Sequence, residues 1–279
     1  MILTDDNYYS LEADRLYCSA SQYLDFIGRP EIPGCEARAM AKLSGEYVEE
    51  TSKAMLIGSI LDTLWELDEL PIEEKIGIIA DKYPECVSSR GATKGELKNE
   101  YKQAIQLYQR TLRDELFCKF MSGQKQVIMT GEIEGLPFKI KMDSYIADVA
   151  IVDLKTTQDA SRNFRKYIVD SGNRETFYRA FGYDIQLAIY REIVRQNTDK
   201  TLRCYLAVID KKPSPLPQII ELTPKMLDDA LETVKANVGT IKMLKSGEIK
   251  TYCRCEECDY CRDTYKCKVL SSEEFETQD

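Results

Sequence analysis

The chain contains no histidine, and this absence excludes several classes of enzyme and of metal site. A Ser–His–Asp triad, a Cys–His nucleophile pair, a histidine-ligated zinc ion and imidazole acid–base catalysis all require that side chain. Any chemistry must therefore come from carboxylates, lysine, tyrosine, hydroxyl groups, thiolates and bound metal ions.

Basic residues and long apolar segments are also scarce. The 279 residues include 38 Lys and Arg against 47 Asp and Glu, a net charge of −9. This charge argues against general affinity for nucleic acid, although it leaves room for a local basic groove. No apolar stretch approaches the roughly 20 residues of a membrane span, and residues 1–7 lack the basic and apolar regions of a signal peptide. We therefore expect a cytoplasmic protein without membrane contact.

The hydrophobic pattern changes near residue 125, which predicts a helical N-terminal region followed by a sheet. Helices are predicted at residues 21–27, 35–43, 54–67 and 94–120, with a loop-rich segment at 71–95. Strands are predicted at residues 126–132, 138–145, 149–154, 202–209 and 218–222, with helices at 183–196 and from 223 to about 244. The predicted fold class is α/β, a small mixed sheet flanked by helices.

Three residues of the sheet region form the most informative group. Asp143 lies late in one predicted strand, and Asp153 and Lys155 lie two residues apart at the end of the next. Because residues i and i+2 of a strand share a face, Asp153 and Lys155 emerge side by side, and a hairpin would place Asp143 across from them. Two carboxylates beside a lysine suit a catalytic Mg²⁺, which prefers oxygen ligands. In isolation such a triplet is more often a surface ion pair, but the apolar residues before Asp153 are typical of a buried central strand.

The 10 cysteines are unevenly distributed, with a group in residues 253–267. A cytoplasmic setting disfavours a disulfide framework, whereas thiolates at CxxC spacing indicate a metal site. Four cysteine ligands suit zinc or an iron–sulfur cluster, and spacing alone does not separate the two. A self-contained zinc site within residues 253–267 therefore stays open.

Asp143, followed by the segment 153–157 (DLKTT), resembles the PD-(D/E)XK nuclease superfamily, and most closely its RecB-like and RecE-like exonuclease branch. Gln186 and Tyr190 match the QxxxY helix motif of that branch. Residues 58–62 (GSILD) match its GxxxH motif, with an aspartate in place of the histidine. An aspartate is itself an oxygen ligand for Mg²⁺ or Mn²⁺.

The resemblance implies metal-dependent phosphodiester hydrolysis and assigns roles to individual residues. The expected ligands of Mg²⁺ or Mn²⁺ are Asp62, Asp143, Asp153 and the carbonyl of Leu154. Lys155 would position the attacking water. Gln186 and Tyr190 would contact the nucleotide or that water, and Glu132 is a secondary candidate where related nucleases often carry an acid.

Related nucleases also hold an iron–sulfur cluster between one upstream cysteine and three near the C terminus. By this resemblance Cys35 is the upstream ligand, Cys258 and Cys261 are two of the others, and either Cys255 or Cys267 is the fourth. The expected cofactor is a [4Fe–4S] cluster, with a structural Zn²⁺ as the alternative. Such a cluster would close a long loop and hold the N-terminal region against the core.

DNA contact must be local in so acidic a chain. The expected phosphate-binding surface comprises Arg162, Arg165, Lys166, Arg174 and Arg179, with Lys139 and Lys141 near Asp143 and with Tyr167, Phe177 and Tyr178 available to stack on bases. The alternative for the arginine-rich segment is a solvated loop.

The resemblance implies one nuclease domain, with a helical arm at 1–122, a core at 123–245 and a cysteine-rich tail at 246–279. It suggests a phage-type exonuclease of a bacterial or phage-infected cell. The enzyme would resect linear double-stranded DNA from a free end and leave a single-stranded tail for a RecT-like annealing protein. Relatives form toroids, so a homo-oligomer is expected. The alternatives are a RecB-like or CRISPR-adaptation-type single-strand nuclease and a non-catalytic zinc-binding DNA-interaction module.

Overall fold

The structure, a computed structural model, describes residues 1–30, 32–162, 164, 166–167 and 174–273. The α-helices of these residues are α1 (Leu11–Leu16), α2 (Ala20–Ile27), α3 (Glu36–Ser44), α4 (Lys53–Glu66), α5 (Ile72–Lys82), α6 (Lys102–Thr111), α7 (Glu115–Phe120), α8 (Phe177–Ala180), α9 (Tyr183–Thr198), α10 (Pro224–Ser246) and α11 (Asp259–Asp263). The strands are β1 (Gly28–Arg29), β2 (Ile32–Pro33), β3 (Val127–Ile133), β4 (Leu136–Met142), β5 (Ser144–Ile146), β6 (Ala150–Thr157), β7 (Lys166–Tyr167), β8 (Arg174–Glu175), β9 (Arg203–Asp210) and β10 (Pro217–Leu222).

A mixed sheet of strand order β10-β9-β6-β5 forms the centre of the fold. β6 and β9 run parallel, and the connection between them includes α9, as a parallel pair requires. The outer strands β5 and β10 run antiparallel to their neighbours. The predicted α/β class, a small mixed sheet flanked by helices, is therefore confirmed.

Each face of this sheet carries its own hydrophobic core. Ile151 of β6 packs on the face covered by α2, α9, α10 and the β3–β4 hairpin. Val152 and Leu154 pack on the opposite face, against α4, α6 and α7. Because β6 is buried on both faces, its sequence before Asp153 is apolar throughout rather than alternating. This central strand carries Asp153 into the interior of the molecule.

The β3–β4 hairpin leads the chain to the central sheet. Glu134 and Gly135 connect its strands with positive φ angles of 48° and 71°, as a tight two-residue hairpin turn requires. Val127 pairs with Met142 at the far end of the hairpin, and the chain then passes through Asp143 into β5.

Two predictions for the helical region are wrong. The segment expected to be loop-rich contains α5, in which Lys75 is buried and donates to Leu64 O and Tyr108 Oη. A lysine on the inner face of a helix weakens the apolar periodicity on which the prediction depended. The single helix expected at 94–120 is interrupted between α6 and α7, where the Asp114 carboxylate accepts a hydrogen bond from Phe117 N and starts a new helix.

α10 shows how local sequence sets the bounds of a helix. The Thr223 side chain accepts a hydrogen bond from Met226 N, and Pro224 occupies the first turn. Gly247 ends the helix with a left-handed φ of 78°. In the part of the chain that the structure describes, neither α10 nor any other helix is long and apolar enough to cross a membrane.

Candidate active site and cysteine cluster

The register of β5 and β6 brings two carboxylates together. Ser144 of β5 pairs with Val152 of β6, so Asp143, the residue before β5, lies opposite Asp153. Asp143 Oδ2 accepts a 2.8 Å hydrogen bond from Leu154 N, and its Oδ1 lies 3.5 Å from Gln126 Nε2. The proximity predicted from a hairpin is therefore present, and the backbone of β6 fixes the orientation of Asp143.

The buried Asp153 and the half-buried Lys155 form an ion pair on the same face of β6. Asp153 is 2% exposed, and its Oδ2 lies 2.7 Å from Lys155 Nζ. Burial favours the neutral amine, but Asp153 and Asp143 outweigh it and hold the pKa of Lys155 above its usual value. The ammonium group also lies 5.1 Å from the ring centre of Tyr183. Lys155 is therefore a protonated donor at the centre of the site.

α9 supports Asp153 from the other side. Gln186 Nε2 donates a 2.8 Å hydrogen bond to Asp153 Oδ1 and lies 3.2 Å from Tyr190 Oη. Tyr190 Oη in turn donates to Lys141 O at 3.1 Å. Because Gln186 and Tyr190 are one helical turn apart, they act on the same side of the helix. The motif on α9 therefore positions a carboxylate of the sheet.

A third carboxylate, Asp62, comes from the buried helix α4. Burial, and next the negative charge of Asp143, raise the pKa of Asp62 well above its usual range. Burial and the charge of Asp153 raise the pKa of Asp143 to about 6. Lys155 offsets both effects only in part. Three clustered acids with one lysine leave an excess of negative charge, which a divalent cation would neutralise.

These side chains line one polar cavity of about 460 Å³. Its lining includes Asp62, Asp143, Asp153, Lys155, Gln186 and Tyr190. Asp153 Oδ2 is buried and, among the described residues, accepts no hydrogen bond of normal geometry despite its contact with Lys155. The pairing of β5 with β6 stops at Ser144 and Val152, so no residue of β5 lies opposite Leu154. The N–H of Leu154 bonds the Asp143 side chain instead. The donor set therefore fits a hard cation such as Mg²⁺ or Mn²⁺.

Glu132 is not part of this group. It is exposed and lies near the hairpin turn, opposite Pro137, at the other end of the hairpin from Asp143. Its backbone exchanges hydrogen bonds with the side chain of Gln196. The structure thus places Glu132 away from the other predicted catalytic residues.

The two lysines of β4 are neutralised by the N-terminal segment. Lys139 is 1% exposed and bonds Asp14 at 2.7 Å and the carbonyl of Tyr8. Lys141 pairs with Asp5 at 2.9 Å. The expectation that Lys139 offers a free phosphate contact is therefore wrong, because it is a buried structural cation.

The arginine-rich surface is only partly described. Arg162, Arg174 and Arg179 are exposed, and Arg162 lines a separate cavity of about 360 Å³ rather than the carboxylate cavity. Arg165 lies outside the described residues, and of Lys166 the structure describes only the backbone, in β7. DNA contact by these residues stays a prediction.

The aromatic residues predicted to stack on bases differ in their exposure. Phe177 is 6% exposed and belongs to the hydrophobic core, so its predicted stacking on a base is wrong. Tyr178 is half-buried against the same core. The side chain of Tyr167 lies outside the described part of the structure.

Several residues of the cavity were not predicted from the sequence. Tyr183 precedes Gln186 by three positions on α9, so the helical period of the QxxxY motif could have identified it. Gln126 reaches Asp143 from a backbone with a φ of 53°, and no motif marks it. Tyr8 and Tyr9 enter through folding of the N-terminal segment over the cavity, which local sequence does not encode.

Four cysteines form a second site, one from the N-terminal region and three from the C-terminal region. The Sγ atoms of Cys35, Cys255, Cys258 and Cys261 all lie within 4.8 Å of one another, and those of Cys35 and Cys261 are 3.5 Å apart. Cys267 is exposed and lies outside this group. The structure therefore favours Cys255 over Cys267 as the fourth ligand, and the idea of a site built from residues 253–267 alone is wrong.

The backbone around the cluster supports thiolates. Cys35 caps the N-terminus of α3, where its Sγ accepts from Arg38 N at 3.4 Å. Cys255 Sγ accepts from Cys258 N at 3.4 Å. Burial opposes ionisation of Cys255, but the backbone N–H groups of Cys258 and Glu257 outweigh it and lower the pKa of Cys255 to about 7. Four unoxidised thiols in this arrangement suit a structural zinc ion or an iron–sulfur cluster.

Known proteins give an independent view of the chain. One solved structure, from Eubacterium rectale and described as a "Putative exonuclease", is 44% identical, with a TM-score of 0.88 over 98% of this chain and 97% of that one. A second, SSO0001, is 12% identical, with a TM-score of 0.30 over 72% of this chain and 82% of that one, which is too low to support any argument. No curated protein is significantly similar in sequence.

A family model agrees with the site geometry. The PDDEXK-like domain of unknown function, DUF3799, matches residues 19–264. The match includes α4, the central sheet, α9 and the four clustered cysteines. The chain therefore belongs to this PDDEXK-like family.

Proposed function

We propose that the protein is a metal-dependent deoxyribonuclease that degrades DNA from an end. The observation that carries this proposal is the convergence of Asp62, Asp143, Asp153 and Lys155 in one polar cavity. Asp153 is buried and Asp62, Asp143 and Lys155 are half-buried, and withdrawal of charge from water is costly without a compensating role. Their chemistry suits phosphodiester hydrolysis, and the PDDEXK-like family and the exonuclease description of the Eubacterium rectale protein support the same reaction class.

In this mechanism the carboxylates of Asp62, Asp143 and Asp153, with the carbonyl of Leu154, would hold one or two Mg²⁺ or Mn²⁺ ions. The ions supply Lewis-acid stabilisation of negative charge on the phosphate when bound. Lys155 remains protonated and donates a hydrogen bond that orients the attacking water or the phosphate oxygen. Gln186 fixes the orientation of Asp153 through its 2.8 Å hydrogen bond. Tyr190 anchors Gln186 to the backbone of β4.

We further propose resection of linear duplex DNA, with the resulting single strand passed to a RecT-like annealing protein, in a bacterial or phage-infected cell. The resemblance of the DLKTT and QxxxY segments to the RecE-like branch supports this finer assignment. The same resemblance supports assembly as a homo-oligomer and a [4Fe–4S] cluster on Cys35, Cys255, Cys258 and Cys261, with Zn²⁺ as the alternative. The cluster would fasten the N-terminal and C-terminal regions together.

The experiment compares linear duplex, covalently closed circular duplex and single-stranded DNA, each with Mg²⁺ or with EDTA. We expect degradation of linear duplex in Mg²⁺ only, with no loss of circular duplex. Cleavage of the circle would exclude an exonuclease, and exclusive cleavage of single strands would favour the RecB-like alternative. Lys155→Ala should be inactive, whereas Lys200→Ala, which alters an exposed lysine paired with Asp148, should be fully active.

A further inference from the structure

A second cavity adjoins the carboxylate site. It has a volume of about 650 Å³ and lies between α4 and the carboxyl ends of β6 and β9. Both cavities are lined by Arg29, Asp62, Lys155, Phe181 and Tyr183. The two spaces therefore meet at Asp62 and Lys155, and a polymer bound at the carboxylates would extend from one into the other.

The described lining of the second cavity has more cationic than acidic side chains, whereas that of the first has equal numbers of the two. Its described lining contains Arg29, Lys155 and Lys211, and Asp62 at the shared boundary is the single carboxylate among these described lining residues. The buried Arg29 Nε donates to no described residue. Lys211 Nζ donates to Thr156 Oγ1 at 3.3 Å, and burial lowers the pKa of Lys211 without a described acid to offset it. Lys211, a cation partly withdrawn from water without a described acidic partner, and the unsatisfied Nε of Arg29 together favour a bound anion.

The remaining lining suits a nucleotide better than a small inorganic anion. The rings of Phe181 and Tyr183 are stacked, with centroids 5.9 Å apart, and form an aromatic wall at the junction of the cavities. Thr156, in contact with Lys211, and Ser59 add hydroxyl groups to the lining. Cationic and aromatic groups side by side are the usual means of holding a nucleic-acid strand without reading its sequence.

We propose that the second cavity binds the nucleotide adjacent to the scissile phosphate, with its own phosphate held between Arg29 and Lys211. This rests on the proposed nuclease function, because the carboxylate cavity must hold the bond that is cleaved. Arg29 and Lys211 then set the position of the strand relative to the catalytic group. Lys155 faces both cavities and marks the boundary between cleavage and strand binding.

The test measures binding rather than cleavage. A fluorescein-labelled oligothymidylate of about 12 nucleotides is titrated with the protein in EDTA at several salt concentrations, and binding is followed by anisotropy. Lys211→Met and Arg29→Gln should each weaken binding about 5-fold to 10-fold and lower the slope of log K against log salt by roughly 0.7, the value for one lost phosphate contact on a single strand. Lys211→Arg should restore both values, because it keeps the charge.

Lys212→Met is the matched control, since Lys212 is adjacent, pairs with Asp159 and does not line the cavity. It should bind as the wild type does.

A wild-type salt slope in both Lys211→Met and Arg29→Gln, with normal circular dichroism, would overturn the proposal. An equal loss for oligonucleotides with and without a terminal phosphate assigns an internal phosphate to the site. A loss confined to the phosphorylated form assigns the strand end, and both results support binding of a nucleotide phosphate.

The outcome is separable from that of the nuclease assay. A protein that shows the expected salt slopes but cleaves no DNA would disprove the proposed function and leave the phosphate site intact. Conversely, an active nuclease whose salt slope is unaffected by both substitutions would disprove the phosphate site alone.

Discussion

The carboxylate site and the cysteine cluster are both sets of four chemically reactive side chains, but they are built in opposite ways. Asp153 and Lys155 come from the central strand β6, Asp143 directly precedes the neighbouring outer strand β5, and Asp62 comes from α4. The cysteines come from the start of α3 and from a C-terminal segment, and Cys35 and Cys261 belong to a small hydrophobic group of their own. One site lies at the central sheet between the two main hydrophobic cores, whereas the other joins two segments that are far apart in sequence.

This difference separates function from stability. The carboxylates repel one another, as the raised pKa values of Asp62 and Asp143 indicate, so the fold holds them at a cost. A metal-loaded cysteine site instead contributes its binding free energy to folding. Substitutions in the first site should therefore affect activity, and substitutions in the second should affect stability.

The largest expected effect is on catalysis. Asp153→Asn and Lys155→Ala should each reduce the rate of linear-duplex degradation at least about 100-fold, because each removes a charged group from the reaction site. Asp153→Asn should change the Tm little or raise it slightly, because a buried charge is removed, whereas Lys155→Ala should lower the Tm, because it leaves the buried Asp153 carboxylate without its cationic partner. Initial rates and Tm values measured on the same preparations test this. An active Lys155→Ala variant would refute the site, and the comparison would fail if activity were lost only through unfolding.

The two sites also differ in how well they can be predicted from the sequence, because one is built mainly from neighbouring segments and the other from distant ones. Asp143, Asp153 and Lys155 were predicted to be neighbours because strand periodicity and a short hairpin determine their relative positions. Tyr8, Tyr9 and Arg29 reach the cavity through long-range packing, which no local pattern encodes. The sequence could not decide between Cys255 and Cys267, because both spacings are acceptable to a metal. The fold decided it by leaving Cys267 exposed.

The next largest effect concerns the cysteine cluster. Cys261→Ser should abolish binding of the resident metal and lower the free energy of unfolding by at least about 3 kcal/mol, because metal binding is coupled to folding. Metal content by mass spectrometry, visible absorption of anaerobically prepared protein and chemical denaturation provide the measurements. Cys267→Ser is the matched control and should retain the metal and full stability, since Cys267 lies outside the group.

Iron with a broad visible absorption would identify an iron–sulfur cluster, whereas colourless protein with one zinc per chain would identify the alternative. A full metal content in Cys261→Ser combined with loss in Cys267→Ser would reverse the ligand assignment. In either case the carboxylate site should be unaffected, so the two sites can be tested independently of each other.

A smaller effect is expected from the support that α9 gives to Asp153. Gln186→Ala removes the hydrogen bond to Asp153 Oδ1, so the rate should fall about 10-fold. Tyr190→Phe removes the contact with Lys141 O and acts only through Gln186, so its effect should be smaller. Single-turnover rates at saturating DNA separate positioning from binding. If Tyr190→Phe were the more damaging of the two, Tyr190 would contact the substrate directly rather than support Gln186.

The smallest expected effect is the dependence of stability on pH, and it tests the charge balance of the carboxylate site. Burial and Asp153 raise the pKa of Asp143 from 3.8 to about 6, so folded Asp143 binds a proton more tightly than unfolded Asp143 does. Its contribution to stability is therefore complete below about pH 4 and is lost as the pH rises through about 6. Mg²⁺ requires the ionised carboxylate, so its stabilisation should be larger at about pH 7.5 than at about pH 5. Thermal unfolding with EDTA or Mg²⁺ at both pH values measures this, and Asp143→Asn should remove most of the difference. An equal Mg²⁺ effect at the two pH values would show that Asp143 is already ionised at pH 5 in the metal-free protein. The neighbouring carboxylates would then not suppress its ionisation.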